Sequence, residues 1–140
     1  HSWNLLVDAN EQVRVIDFQD ALMATGAYDV VGLLHDRDTD CLLGRACYER
    51  LLLFAEEVLG QRGRFGEVFL KTAIQRDFKV SGRFRKLSQE RGLVRYDTWV
   101  PGTLKRLSRL LKRLSEEEGG GYVELYQLLS GLGLFERTLI

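Results

Sequence analysis

His1-Ser2-Trp3-Asn4-Leu5-Leu6-Val7 and Val13-Arg14-Val15-Ile16-Asp17-Phe18-Gln19-Asp20 flank the polar segment Asp8-Ala9-Asn10-Glu11-Gln12. Two short apolar runs, Leu5–Val7 and Val13–Ile16, on either side of turn-forming residues read as an antiparallel hairpin. Their near symmetry about the turn predicts pairs whose position numbers sum to 21: Leu5 with Ile16, Leu6 with Val15, and Asn4 with Asp17. Directly opposed residues have Cβ atoms about 5 Å apart and project to one side of the ribbon. The open end then sets a carboxamide beside a carboxylate. Hard oxygens of this kind suit Mg²⁺, which takes few protein ligands and keeps waters and substrate phosphates. Period-2 alternation puts Leu6 and Val15 on that same face, an apolar floor on which a flat base can stack. The plainer reading is that Asn4 and Asp17 flank a hairpin, as polar residues commonly do.

Beyond the hairpin the apolar period becomes helical. Tyr28, Val31 and Leu34, then Leu42, Ala46, Leu52, Leu53, Ala55 and Leu59, suggest a short helix and a long one, with Asp38, Thr39 and Asp40 as candidate caps. Gly60-Gln61-Arg62-Gly63 breaks the chain. A further helix starts at Phe65, Val68 and Phe69, and its drifting apolar phase predicts burial on more than one side or a kink near Gly82. Val100, Leu104, Leu107, Leu111 and Leu114 keep a 4-3-4-3 spacing, the clearest amphipathic helix in the chain. Gly119-Gly120-Gly121 precedes a last short helix over Tyr122–Leu129. The expected class is therefore mainly α with one short β-hairpin: a hairpin over residues 1–20 and a helical subdomain over residues 27–140.

With 140 residues, 45% of them hydrophobic, the chain can bury one domain core. A formal net charge of zero conceals an uneven distribution. Residues 1–61 hold 4 basic and 11 acidic side chains, residues 62–113 hold 15 and 4, and residues 114–140 hold 1 and 5. A basic block of this size can meet phosphate or nucleic acid, or its charges can pair within the fold. Lys105, Arg106, Arg109, Lys112 and Arg113 fall opposite the leucine stripe, and Arg83, Arg85, Lys86, Arg91 and Arg95 precede them. No helix-turn-helix, finger or aromatic stacking platform accompanies these residues, so a nucleic-acid role is the weaker reading. No apolar run approaches the ~18 residues that span a bilayer. Two cysteines, Cys41 and Cys47, make no disulfide framework and suggest a reducing, cytoplasmic setting. They form no zinc spacing with His1 and His35, the two histidines. His35 reads as a packed or surface residue. Asp36, Asp38 and Asp40 alternate as in a calcium loop, but cysteines stand where that loop needs its glycine and glutamate.

The run His1-Ser2-Trp3-Asn4-Leu5-Leu6-Val7, then Ile16-Asp17-Phe18-Gln19-Asp20-Ala21 and Ala27-Tyr28-Asp29-Val30-Val31-Gly32-Leu33-Leu34-His35-Asp36, resembles the aminoglycoside phosphotransferase family. These are small-molecule kinases with a protein-kinase-like fold. The resemblance implies the helical C-terminal lobe of such a fold, with ATP as phosphoryl donor and Mg²⁺ as cofactor. It implies that Asn4 and Asp17 are the metal ligands, that His1 is the supporting catalytic-loop histidine, and that Leu6 lies under the adenine. Asp20 and Gln19 become candidates for metal or substrate contact. Asp29 resembles a buried family aspartate that hydrogen-bonds the catalytic-loop backbone, with a helix N-cap as its alternative. The family's catalytic aspartate falls two positions before His1, outside this chain, as do the nucleotide-lobe lysine and phosphate-covering loop. This chain alone is therefore expected to be inactive. The strings Phe18-Gln19-Asp20-Ala21, residues 76–84 and residues 95–101 resemble bacterial cell-wall amino-sugar kinases, which phosphorylate N-acetylmuramate or N-acetylglucosamine at the anomeric hydroxyl. The partners implied are a nucleotide, an amino-sugar substrate and the absent lobe, with no membrane. A kinase-like module that binds without catalysis is the alternative; an aspartate two positions upstream of His1 would favour the live enzyme.

Overall fold

The hairpin forms, but one residue out of the expected register. In the computed structural model, which describes residues 1–136 except 18, 20–22, 38 and 61, β1 (Leu5–Val7) pairs antiparallel with β2 (Val13–Val15). The pairs are Leu5 with Val15, Leu6 with Arg14, and Val7 with Val13, so position numbers sum to 20. The turn explains the shift. Asp8 and Gln12 still pair through the Asp8 N–H donating to the Gln12 carbonyl at 3.0 Å, and the Glu11 N–H closes a β-turn onto the Asp8 carbonyl at 3.0 Å. Glu11 then takes the left-handed conformation, with φ 60°. This is a three-residue loop, a turn followed by one left-handed residue, and an odd loop gives an even sum. The Asp8 carboxylate secures it by accepting the backbone N–H groups of Asn10 and Gln12 and by pairing with Arg14 at 2.9 Å. The backbone donors of Gln12 and Asn10, ahead of Arg14, hold the Asp8 carboxyl below its ordinary range.

The described helices are α1 (Ala27–Leu34), α2 (Thr39–Leu42), α3 (Arg45–Val58), α4 (Phe65–Arg91), α5 (Val100–Glu118) and α6 (Gly121–Gly131). Short 3₁₀ turns cover Ser2–Asn4 and Val94–Trp99. The fold class is thus mainly α with one two-stranded hairpin, consistent with the helical lobe of a kinase-like fold. None of the described helices is long and apolar enough to cross a membrane. The chain divides within α4 into two compact units, His1–Phe69 and Leu70–Ile140.

In the first unit, Ala27, Val31 and Leu34 bury the inward stripe of α1. His35 is buried as well: its Nε2 lies 2.9 Å from the Tyr48 hydroxyl and its ring meets the edge of Phe69 at 5.3 Å. The expected long helix is interrupted at Leu43-Gly44, and its apolar face is largely open: Ala55 is buried, while Leu53 is 67% exposed.

In the second unit, the expected stripe of α5 is the core. Val100, Leu104, Leu107, Leu111 and Leu114 are all buried. Phe84, Val100, Leu104 and Leu107 form a cluster onto which Ile74, Val80, Tyr96, Trp99, Leu134 and Phe135 pack. Burying a leucine of this kind contributes about 2 kcal/mol at most. Pro101 sits in the first turn of α5, where its missing N–H costs nothing. Gly119 and Gly120 both take positive φ, 66° and 55°, which glycine adopts without a Cβ clash and which sharply separates α5 from α6. The drifting apolar phase allows burial on more than one side or a kink near Gly82; α4 is continuous through Gly82 for 27 residues. Arg106 does not join the polar face of α5. It is buried and forks onto Asp77, Nε to Oδ2 at 2.8 Å and Nη2 to Oδ1 at 3.1 Å. Other basic side chains pair locally, among them Arg85 with Asp97, Lys86 with Glu90 and Arg113 with Glu117.

Candidate functional site

In the observed register Asn4 stands opposite Ile16, whose N–H donates to the Asn4 carbonyl at 2.9 Å. Strict pleating would therefore aim Asp17 to the other face of the ribbon. It does not continue the strand. Asp17 has φ 61°, a left-handed conformation that Asp and Asn tolerate better than most residues. That reversal returns its carboxylate to Asn4, whose Nδ2 donates to Asp17 Oδ2 at 3.3 Å. The expected juxtaposition is present, reached by backbone strain instead of by cross-strand pairing. Strain of this kind costs on the order of 1 kcal/mol and concentrates at functional positions. The second oxygen of Asp17 is also engaged, since Gln19 Nε2 donates to Oδ1 at 2.6 Å.

The same register separates the expected apolar floor. Leu5, Val7, Val13 and Val15 share one face, and Leu6 with Arg14 shares the other. Leu6 and Val15 are thus on opposite sides, and both are largely exposed.

The turn bearing Asn4 is held from α1's C-terminal end. Asp36 Oδ2 accepts the Ser2 N–H at 2.9 Å and the Ser2 hydroxyl, while its Oδ1 accepts the Arg37 N–H at 2.9 Å. The Arg37 guanidinium lies 4.5 Å from the centre of the Trp3 ring, within cation–π range. Asp29 was expected to secure this backbone. It is instead exposed in the first turn of α1, and Asp36 carries the bond. Periodicity could not have found Asp36, because it follows the end of the helix, where the 3.6-residue repeat no longer fixes side-chain direction. His1 contributes its carbonyl, which accepts the Asn4 N–H at 2.9 Å, and its side chain is exposed. Asp20 lies outside the described residues.

Burial pushes the Asp36 carboxyl up. The Ser2 hydroxyl, the Arg37 and Ser2 amides and the Arg37 charge outweigh it, leaving Asp36 below the ordinary 3.8. A carboxyl depressed on folding stabilises the native state above its unfolded pKa and loses that contribution as pH falls through the folded value. In urea titrations from pH 6 to pH 3, Asp36→Asn is expected to be less stable than wild type at pH 6. It should also lose less stability than wild type below about pH 4. Parallel acid limbs would show that the Ser2–Asp36 contact contributes nothing.

Asn4 and Asp17 fit a divalent cation by donor chemistry: a carboxylate and a carboxamide, both hard, with solvent access for further ligands. Asn4 would have to turn its amide so that oxygen faces the ion, an exchange that scarcely moves the heavy atoms. Among the described residues no group of three or more His, Cys, Asp or Glu could hold a metal ion. No curated protein and no solved structure matches the chain. Residues 1–61, which contain the hairpin, the 3₁₀ turn and Asp36, match the model of the phosphotransferase enzyme family, APH, and that match supports a phosphotransferase of the aminoglycoside phosphotransferase type.

Proposed function

We propose that this chain is the helical part of an ATP-dependent small-molecule phosphotransferase whose acceptor is a sugar hydroxyl, most specifically that of an amino sugar. The observation that carries this reading is the Asn4–Asp17 contact inside the matched segment. Asn4 and Asp17 would hold Mg²⁺, which when bound bridges phosphate oxygens and offsets the charge spreading over them. Asp36 and Arg37 fix the turn that presents Asn4, and the left-handed Asp17 aims the carboxylate. The family resemblance places the proton-accepting aspartate two positions before His1, and on that reading the 140-residue chain alone is proposed to turn over no substrate. The amino-sugar specificity draws on the strings at residues 76–84 and 95–101.

The test is a phosphoryl-acceptor screen of the longer protein carrying this chain, with MgATP and a panel of hexosamines, N-acetylmuramate and aminoglycosides. Transfer of the γ-phosphate to an N-acetylated amino sugar is the expected result. Transfer confined to aminoglycosides would overturn the acceptor class, and no transfer to any hydroxyl would overturn the kinase reading.

A further inference from the structure

We infer that Gln19 supplies a third oxygen to the divalent-cation site, completing a set with Asn4 and Asp17; this rests on the metal role proposed for that pair and extends it. Both oxygens of the Asp17 carboxylate are engaged by side-chain amides, Asn4 on one and Gln19 on the other. All three groups reach solvent, so an ion can enter without rearranging a core. In an octahedral Mg²⁺ site with bonds of 2.0–2.1 Å, adjacent ligand atoms stand about 2.9 Å apart. The amide-to-carboxylate separations here are 3.3 Å and 2.6 Å, one on each side of that value. Rotating either amide by half a turn exchanges its nitrogen and oxygen with little heavy-atom movement. Two such rotations turn two donors on the carboxylate into two further oxygens beside it, one next to each of its own oxygens.

The backbone supports this arrangement. The left-handed φ of Asp17 turns the chain directly after β2, so that Gln19, two positions later, meets the same carboxylate. The competing role is a latch. A Gln19 that only donates to Asp17 in the cation-free state would compete with the ion, and its removal would tighten binding. A third ligand predicts the opposite sign.

The experiment is Mn²⁺ binding to the 140-residue chain, followed by loss of the free-ion electron paramagnetic resonance signal, with far-ultraviolet circular dichroism to check folding. Gln19→Leu is expected to weaken Mn²⁺ binding on the order of tenfold, the worth of one contact to a charged group. Gln19→Glu, which keeps a hard oxygen, should bind at least as tightly as wild type. Unchanged or tighter binding by Gln19→Leu overturns the third-ligand role. Failure of the underlying reading shows separately: Mn²⁺ affinity indifferent to Asp17→Asn, or no uptake by wild type, removes the pair and Gln19 with it.

Discussion

On the proposed function, Asp17→Asn in the longer protein carrying this chain is expected to lower turnover by roughly a thousandfold while leaving the melting temperature nearly unchanged. The two halves of that expectation have different physical origins. Turnover falls because a neutral amide cannot balance the charge of a divalent ion and the phosphates it bridges. Stability holds because Asp17 is exposed and sits at φ 61°, where Asn is as well accommodated as Asp. Asp17→Ala makes the necessary contrast. It loses the carboxylate and also places a Cβ-bearing residue without local hydrogen-bonding capacity in the left-handed region, at a cost of about 1 kcal/mol. Asp17→Gly loses the carboxylate without that strain. A metal ligand gives three inactive variants of unequal stability. A residue that merely terminates the strand gives activity that follows stability, with Asn and Gly near wild type and Ala impaired. Full turnover by Asp17→Asn would remove Asp17 from the metal role.

The hairpin illustrates how much of this was legible in the sequence. Its existence followed from two apolar runs around a polar turn, and the meeting of Asn4 with Asp17 was anticipated. The register was not, because it depends on whether the loop holds an odd or even number of residues. That is decided by hydrogen bonds to the Asp8 carboxylate and by the conformation of Glu11, not by hydrophobic pattern. The two errors offset one another at the site: a slip of one residue turned Asp17 away, and its left-handed backbone turned it back. Nothing offset the slip for Leu6 and Val15, which lie on opposite faces. The leucine stripe of α5 was fully readable since five apolar residues at helical spacing admit one face. Arg106 escaped that reading because charge predicts exposure unless a partner is buried nearby. Its partner, Asp77, lies 29 positions earlier on another helix.

The Asp77–Arg106 pair carries the largest expected effect on stability. Asp77 has no exposed surface and the Arg106 side chain is 8% exposed, so both charges have left water and are held by a two-pronged contact between α4 and α5. Removing one partner strands the other. Arg106→Met is expected to cost about 3–5 kcal/mol in urea unfolding of the full chain, because the Asp77 carboxylate keeps its desolvation penalty and loses its counter-charge. The double substitution Asp77→Leu with Arg106→Met removes both penalties together and should return to within about 1 kcal/mol of wild type, or exceed it. A small loss in the single variant would mean that water or another group already satisfies Asp77. The double variant also decides a functional question. Asp77 and Phe84 lie in residues 76–84, and Tyr96 and Trp99 in residues 95–101, the strings on which the proposed amino-sugar specificity draws; the three rings pack on one another with centroids 5.3–5.6 Å apart. Those residues are engaged in building the second unit. If their resemblance reflects that shared core, a stable double variant of the longer protein retains phosphoryl transfer. If turnover disappears while stability is kept, the buried Asp77–Arg106 pair positions groups that the reaction uses.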